Sequence, residues 1–119
     1  MSDSKAGETI QILFDKKEWL SRNKYDIPAV HLDFFPRDAL GARGKADEGS
    51  YPFRGQSVEF DYGVTKSICD IATRKSGAMR PRDNTGMRKF LNANEVVLGD
   101  VVIITRIESH RYKVTLIKR

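Results

Sequence analysis

The sequence predicts a mainly β domain of the α+β class, a seven-stranded antiparallel pseudobarrel with two short helices. Three observations lead to this prediction. Short segments of alternating apolar and polar residues recur along the chain, turn residues separate them, and no helix-sized segments alternate with them. Parallel strands need long crossover connections, so an antiparallel barrel or pseudobarrel is the expected architecture.

The expected strands are the segments in which β-branched and aromatic residues alternate with polar ones. They cover residues 9–14, 30–35, 57–62, 66–73, 78–82, 101–107 and 112–117. Residues 42–56 are rich in glycine and charge, which favours a surface loop between the second and third strands.

The two helices are predicted from capping residues and spacing. Proline suits the first turn of a helix over residues 36–40, and Gly41 would end that helix in the left-handed conformation. Asn84 or Thr85 caps the second helix, in which apolar residues recur at one-turn spacing.

A chain of 119 residues allows one domain with its own core. Residues 1–8 are small and polar and are expected to form a flexible N-terminal tail, which leaves 9–119 as the single domain. With 39% hydrophobic and 31% charged residues, the composition is typical of a globular protein.

Composition also excludes several function classes. The lone Cys69 rules out an intramolecular disulfide and a cysteine zinc cluster, so no metal and no cofactor are expected. The sequence contains no apolar run of the roughly 18 residues that a membrane span needs, and its start is too polar for a signal peptide. These features favour a cytoplasmic protein without a membrane partner.

The net charge of +5 favours acidic partners such as nucleic acid, and much of it lies in residues 74–89. A strand there would place Arg80 and Arg82 on one face of a two-stranded ribbon, which fits the DNA major groove. The helix start at Asn84 offers backbone amides for a phosphate. The alternative is a solvated, charged hairpin without a ligand.

A second candidate site is the polar arm between the first two strands. Its amide, hydroxyl and basic groups suit base edges and phosphates. The alternative is a polar loop that packs Trp19 and Tyr25 on the barrel. A third basic patch, containing Arg37, Arg43 and Lys45, is expected to contact phosphate or solvent.

No catalytic constellation is evident in the sequence, so the chain is not expected to be an enzyme by itself. His31 falls in an apolar strand and is interpreted as a core residue. His110 and Cys69 have no evident partner, and Asp61 and Asp70 lack the lysine of a nuclease site.

Four segments carry a resemblance to a known family. They are Phe35-Pro36-Arg37-Asp38-Ala39-Leu40-Gly41, Cys69-Asp70-Ile71 leading to Met79-Arg80-Pro81-Arg82, Arg88-Lys89-Phe90-Leu91, and Gly99-Asp100-Val101-Val102. In this order the chain resembles the B3-type DNA-binding pseudobarrel, particularly the prokaryotic specificity or effector domains of restriction endonucleases. The similarity covers roughly residues 10–118.

The resemblance implies that two arms grip the major groove of double-stranded DNA. The N-arm would be residues 16–25 and the C-arm residues 74–84. The chain would then be the monomeric target-recognition domain of a prokaryotic restriction endonuclease, with its nuclease domain in cis or trans. The expected DNA contacts are Lys16, Lys17, Ser21, Arg22, Asn23, Lys24, Tyr25, Arg43, Lys45, Arg74, Lys75, Ser76, Arg80, Arg82, Asp83, Asn84 and Lys89.

Two other functions remain open from the sequence. A protein-interaction or assembly module without nucleic-acid specificity would use Trp19, Tyr25 and Ile27 as an apolar contact patch. Binding of RNA or single strands would need exposed aromatic residues on the strands, whereas most aromatic residues alternate toward the presumed core.

Overall fold

The computed structural model describes residues 5–119. Over this range the chain forms eight strands, two α-helices and three short 3-10 turns. The strands are β1 (Thr9–Leu13), β2 (Leu40–Ala42), β3 (Val58–Asp61), β4 (Lys66–Cys69), β5 (Ile71–Thr73), β6 (Met79–Pro81), β7 (Val101–Glu108) and β8 (Arg111–Ile117). The helices are α1 (Lys17–Arg22) and α2 (Thr85–Ala93), and the 3-10 turns are Ala29–Phe34, Arg37–Ala39 and Lys45–Asp47.

The strands form two sheets, one of five strands in the order β1-β7-β8-β3-β4 and one of three in the order β2-β5-β6. Most neighbours are antiparallel, but β3 pairs with β8 and β2 pairs with β5 in parallel. The prediction of a single seven-stranded antiparallel pseudobarrel is therefore wrong in detail. The mixed α+β class holds, but the strands are divided between two sheets that do not close into one barrel.

Alternation of side chains fixes the register of the large sheet. In β7, Val102 and Ile104 are buried while their neighbours are more exposed, and β8 repeats the pattern with Tyr112 and Val114. A slip of either strand by one residue would turn its two core side chains toward water, so the apolar pattern specifies the pairing.

Residues 30–35 do not form the predicted strand. Residues 30–34 belong to the 3-10 segment Ala29–Phe34, which follows Pro28, and Phe35 is the extended residue that ends this segment. This conformation directs both Phe34 and Phe35 into the core, where Phe35 lies 5.1 Å from Tyr112 between ring centroids. A short apolar run fits a strand and a buried turn equally well, which explains the error.

Residues 66–73 do not form one strand but two, which belong to different sheets. β4 pairs with β3, whereas β5 pairs with β2 and β6. Asp70 stands at the break, with its buried carboxylate bound to Arg82 and to the Gly55 amide. The chain therefore changes sheets at a polar residue whose interactions are satisfied inside the fold.

Gly41 lies in β2 and is not the predicted left-handed helix cap. A Cβ atom at this position would collide with the side chain of Asp70 and the backbone of Gly55. Glycine is therefore required here for close packing rather than for a positive φ.

Both ends of the described part of the chain are tied to the large sheet. Residues 1–4 of the expected tail lie outside the described residues, while Gly7 and Glu8 already exchange backbone hydrogen bonds with Arg106. At the other end, the buried carboxylate of Asp100 accepts a hydrogen bond from Lys118 at 2.7 Å. No helix within residues 5–119 is long and apolar enough to cross a membrane.

Candidate nucleic-acid interface

The N-arm is built on α1 and the turn that follows it. Trp19 anchors α1 in the core, where its side chain is 6% exposed. The helix ends at Asn23, whose φ of 54° lies in the left-handed region that asparagine tolerates. The Asn23 side-chain amide donates a hydrogen bond to Asn92 Oδ1 at 2.8 Å, which fixes the N-arm against α2.

The C-arm starts in the turn of the β5–β6 hairpin and continues through β6. Gly77 allows the turn because its φ is +97°, and its amide donates to the carbonyl of Arg74 at 2.8 Å. Ile27 and Met79 exchange two backbone hydrogen bonds of 2.8 and 3.0 Å. Main-chain pairing therefore holds the segment after the N-arm directly beside the C-arm.

An open groove of about 620 Å³ lies where the two arms meet α2. Within residues 5–119, four basic and four neutral polar side chains line it, and no carboxylate does. The lining residues are Ser21, Arg22, Asn23, Lys24, Arg80, Asn84, Arg88 and Asn92. The structure thus brings six of the residues expected to contact DNA to one positively charged concave surface.

One face of α2 forms a wall of this groove. Asn84, Arg88 and Asn92 are spaced four residues apart and therefore project from the same side. The core residues of α2 occupy the opposite face, and Lys89 does not line the groove. Arg88 and Asn92 are absent from the contacts expected from sequence, although their spacing from Asn84 is a signal that identifies both.

A half-buried carboxylate connects the groove with the third basic patch. Asp26 lies 3.7 Å from Lys24 Nζ and 3.6 Å from Arg43 Nη2. Burial lowers the pKa of Arg43, Asp26 opposes this shift, and the charges of Arg80 and Arg74 add to it. Lys24, Arg43 and Arg80 therefore belong to one continuous electropositive region in which Asp26 orients two of the cations.

Arg82 does not join Arg80 in the groove. Its Nε donates to Asp70 Oδ1 at 2.6 Å, and its Nη2 donates to Asp70 Oδ2 at 3.0 Å and to the Ala42 carbonyl at 2.7 Å. Burial alone would raise the pKa of Asp70, but the hydrogen bonds from Arg82 and Gly55 outweigh it and lower the pKa. Arg82 thus bridges β2 and the break between β4 and β5.

Tyr25 is fully buried, so its side chain is not available to a ligand at the surface. Burial raises the pKa of Tyr25, as expected for a phenol that is removed from water. The position fits the alternative reading of the arm, in which Tyr25 and Trp19 pack on the domain.

The start of α2 is a weaker phosphate site than the sequence suggested. The N-cap residue of α2 is Asn84, whose side chain makes no capping hydrogen bond. The Asp83 carboxylate accepts a hydrogen bond from the Thr85 amide at 3.0 Å. Gly86 is buried, and a Cβ atom there would collide with Ser67 and Tyr62. Asp83 therefore places a negative charge at the start of α2 and occupies an amide that a phosphate would need.

The remaining expected contacts lie outside the groove. Lys75 is tied to the loop before β3, because its amide donates to Asp47 Oδ1 at 2.8 Å. Lys16 stacks over the ring of Trp19 with 5.7 Å between Nζ and the ring centroid. The exposed residues of this group are Lys16, Lys17, Lys45, Arg74, Lys75, Ser76, Asp83 and Lys89.

The groups considered for catalysis are placed as follows. His31 lies in a 3-10 turn, half-buried, and burial lowers its pKa. His110 does have partners: Nδ1 lies 2.7 Å from Ser109 Oγ and Nε2 lies 2.9 Å from Asp38 Oδ1. This surface chain joins the β7–β8 turn to the 3-10 turn before β2. No cluster of three or more metal-ligating residues occurs within residues 5–119.

Comparison with known proteins supports the fold. The chain is similar to the solved structure of the hypothetical Arabidopsis thaliana protein At1g16640.1, with a TM-score of 0.52 and 14% sequence identity. The match covers 98% of this chain and 97% of that one. It supports a B3-type fold, as the resemblance in sequence implied, and at this identity it concerns the fold alone. No family model and no curated protein matches the sequence.

Proposed function

We propose that this chain binds double-stranded DNA sequence-specifically, with the N-arm and C-arm entering the major groove. The observation that carries the proposal is the groove between the arms, whose lining in the described part of the chain has four basic side chains and no carboxylate. Main-chain pairing of Ile27 with Met79 fixes the chain just after the N-arm beside the C-arm, and a DNA-reading surface requires such fixed relative positions of its contacts.

The side chains of the groove suit two tasks, positioning the DNA through its phosphates and reading its bases. Arg22, Lys24 and Arg88 supply charge for phosphates, which fix register without carrying sequence information. Arg80 can fork onto a guanine, and asparagine side chains can pair with an adenine edge. Because Asn23 already donates to Asn92, those two amides present a partly oriented pair rather than two free rotors.

We further propose that the chain is the target-recognition domain of a prokaryotic restriction endonuclease and works in the cytoplasm. In this proposal it is a monomer, has no catalytic activity of its own, and depends on a nuclease domain in cis or trans. These finer points rest on the resemblance in sequence and on the B3-type fold.

The competing proposal, a protein-interaction module, needs an exposed apolar contact patch, and the structure buries the residues expected to form it. Trp19, Tyr25 and Ile27 have exposed fractions of 6%, 0% and 0%, so they serve the core of the domain. The groove therefore favours nucleic acid over the alternative.

Selection from a random duplex pool tests the proposal. We expect enrichment of one sequence, weak binding to either single strand, and affinity that falls steeply as salt rises because phosphate contacts release counterions. Lys113→Ala is the control, since this exposed lysine on β8 does not line the groove and its removal should leave enrichment unchanged. A duplex affinity that depends on neither the base sequence nor the salt concentration would contradict the proposal.

A further inference from the structure

One aromatic side chain differs from all the others in its exposure. The chain contains six phenylalanines, four tyrosines and one tryptophan. All of them lie within residues 5–119, and each is buried or half-buried except Phe53, whose side chain is 64% exposed. Exposure alone does not mark a contact, because single apolar side chains are common on protein surfaces and Val30 and Ile68 are more exposed than Phe53. Phe53 differs from them because it offers a flat π face beside a cation.

The backbone on both sides of Phe53 is fixed. The Pro52 carbonyl accepts a hydrogen bond from the Ala42 amide at 2.7 Å, and the Gly55 amide donates to Asp70 Oδ2 at 2.9 Å. Phe53 therefore projects from a short, anchored bend between β2 and the Asp70 centre. Little conformational entropy would be lost when a ligand meets its ring.

Arg54 covers one part of the same ring. Its guanidinium carbon lies 4.2 Å from the Phe53 ring centroid, and its Nη1 donates to the Phe53 carbonyl at 3.0 Å. The two side chains form a cation–π pair, which presents a flat and positively charged surface to solvent.

This pair lies beside a small basic cavity of about 180 Å³, whose charged lining within residues 5–119 is Arg43, Lys45, Arg54, Arg82 and one acid, Glu48. Arg43 connects the cavity to the groove, because Asp26 contacts both Arg43 and the groove residue Lys24. The aromatic pair is thus one end of the electropositive region that begins between the arms.

We propose that Phe53 and Arg54 form a stacking platform for one unpaired nucleobase that lies outside the duplex held in the groove. The proposal rests on the proposed function. Every base has a flat π face, so stacking on Phe53 needs no particular base, and the cations around the cavity can hold the adjoining phosphates. Aromatic stacking of this kind contributes roughly five- to a hundred-fold in affinity per base.

The experiment uses the duplex selected from the random pool and a series of derivatives. Each derivative carries one unpaired 2-aminopurine, moved one base pair at a time along and just beyond the site. We expect at least one position to bind the wild-type chain roughly five- to a hundred-fold tighter than the fully paired duplex, with quenched fluorescence.

Substitutions at the ring assign the gain to stacking. Phe53→Tyr keeps a flat ring and should keep the gain, whereas Phe53→Leu keeps apolar surface without a π face and should lose it. Both should bind the fully paired duplex as the wild type does. Ile68→Ala is the control for exposed apolar surface, because Ile68 is 70% exposed on β4 and does not line the cavity.

The possible failures are distinguishable. If the chain binds no duplex, the proposed function and this inference are both wrong. If it binds the paired duplex but gains nothing at any position, or if Phe53→Leu keeps the full gain, the inference alone is wrong. If Phe53→Leu instead reduces self-association and leaves all DNA affinities unchanged, Phe53 serves a protein contact and the inference is again overturned.

Discussion

Arg80 and Arg82 stand two residues apart on the C-arm and have different environments. Arg80 lines the groove, and its buried Nε has no hydrogen-bond partner among the described residues. Arg82 is held by both oxygens of Asp70 and by the Ala42 carbonyl. Burial keeps the Arg80 Nε away from a ligand, so Arg80 would contact a ligand through its Nη atoms, while the donors of Arg82 serve the fold.

Strand alternation predicts the side of the strand on which a side chain lies, but it does not predict the partner of that side chain. Both arginines follow the same period of two, which made them equivalent in the sequence. Asp70 separates them, because an almost fully buried carboxylate needs a charged donor and Arg82 is the one within reach. Arg80 meets no such acid in the groove.

The largest expected effect concerns the Arg82 centre. Arg82→Ala should lower the free energy of unfolding by about 3 kcal/mol, since it leaves the Asp70 carboxylate buried without its charged partner. Urea unfolding followed by the fluorescence of Trp19 measures the loss. Arg82→Lys should recover part of it, because lysine keeps the charge but cannot donate through a two-pronged fork.

A double substitution tests whether Asp70 and Arg82 stabilise the fold through one shared interaction. Asp70→Ala together with Arg82→Ala should cost less than the sum of the single substitutions, because the two side chains form one interaction. A stable Arg82→Ala chain that lost base preference would mean that Arg82 reads DNA, and the distinction from Arg80 would fail.

Acid should weaken the same centre. The folded-state pKa of Asp70 lies below its usual value, so the stability it provides is fully present above the unfolded pKa, near 3.9. That stability is lost as pH falls through the folded pKa. We expect Asp70→Asn to flatten the dependence of the unfolding free energy on pH below about pH 4. Equal slopes in both chains would argue against a lowered pKa at Asp70.

Arg80 should show the opposite behaviour. Arg80→Ala should change the free energy of unfolding little, because the side chain makes no ion pair with any residue from 5 to 119, but should weaken binding to the selected duplex by ~1 to 3 kcal/mol. The loss should shrink on a duplex in which the contacted guanine is replaced. Binding titrations measure the ratio of affinities for the two duplexes in the wild type and in Arg80→Ala. If the ratio is the same in both chains, Arg80 does not read the base.

Local periodicity predicted most of the large sheet and α2. The alternating residues of β1, β3, β7 and β8 and the apolar stripe of α2 all serve the core. The sequence did not predict which strands pair, because the parallel contact of β3 with β8 joins segments far apart in the chain. The 3-10 turn at 29–34 was also missed, since its apolar residues lack a distinct period.

The candidate site was predicted in outline for a different reason. Both arms are rich in basic and amide residues, and this composition is visible without a structure. Contacts within the fold decide which of the expected residues line the groove. Asp70 binds Arg82, the core buries Tyr25, and the turn of α2 brings Arg88 rather than Lys89 to the groove. Such choices depend on neighbours that are distant in sequence.

The smallest expected effect compares Arg88 with Lys89. Both are exposed cations on α2, so alanine at either position removes the same charge, but only Arg88 lines the groove. Arg88→Ala should reduce the slope of log affinity against log salt by about one, as the loss of a single phosphate contact does, equally for all duplex sequences. Lys89→Ala should leave the slope near that of the wild type. Fluorescence anisotropy over a salt series measures both slopes. If Lys89→Ala lowers the slope as much as Arg88→Ala does, DNA approaches α2 from another side and the groove is not its binding surface.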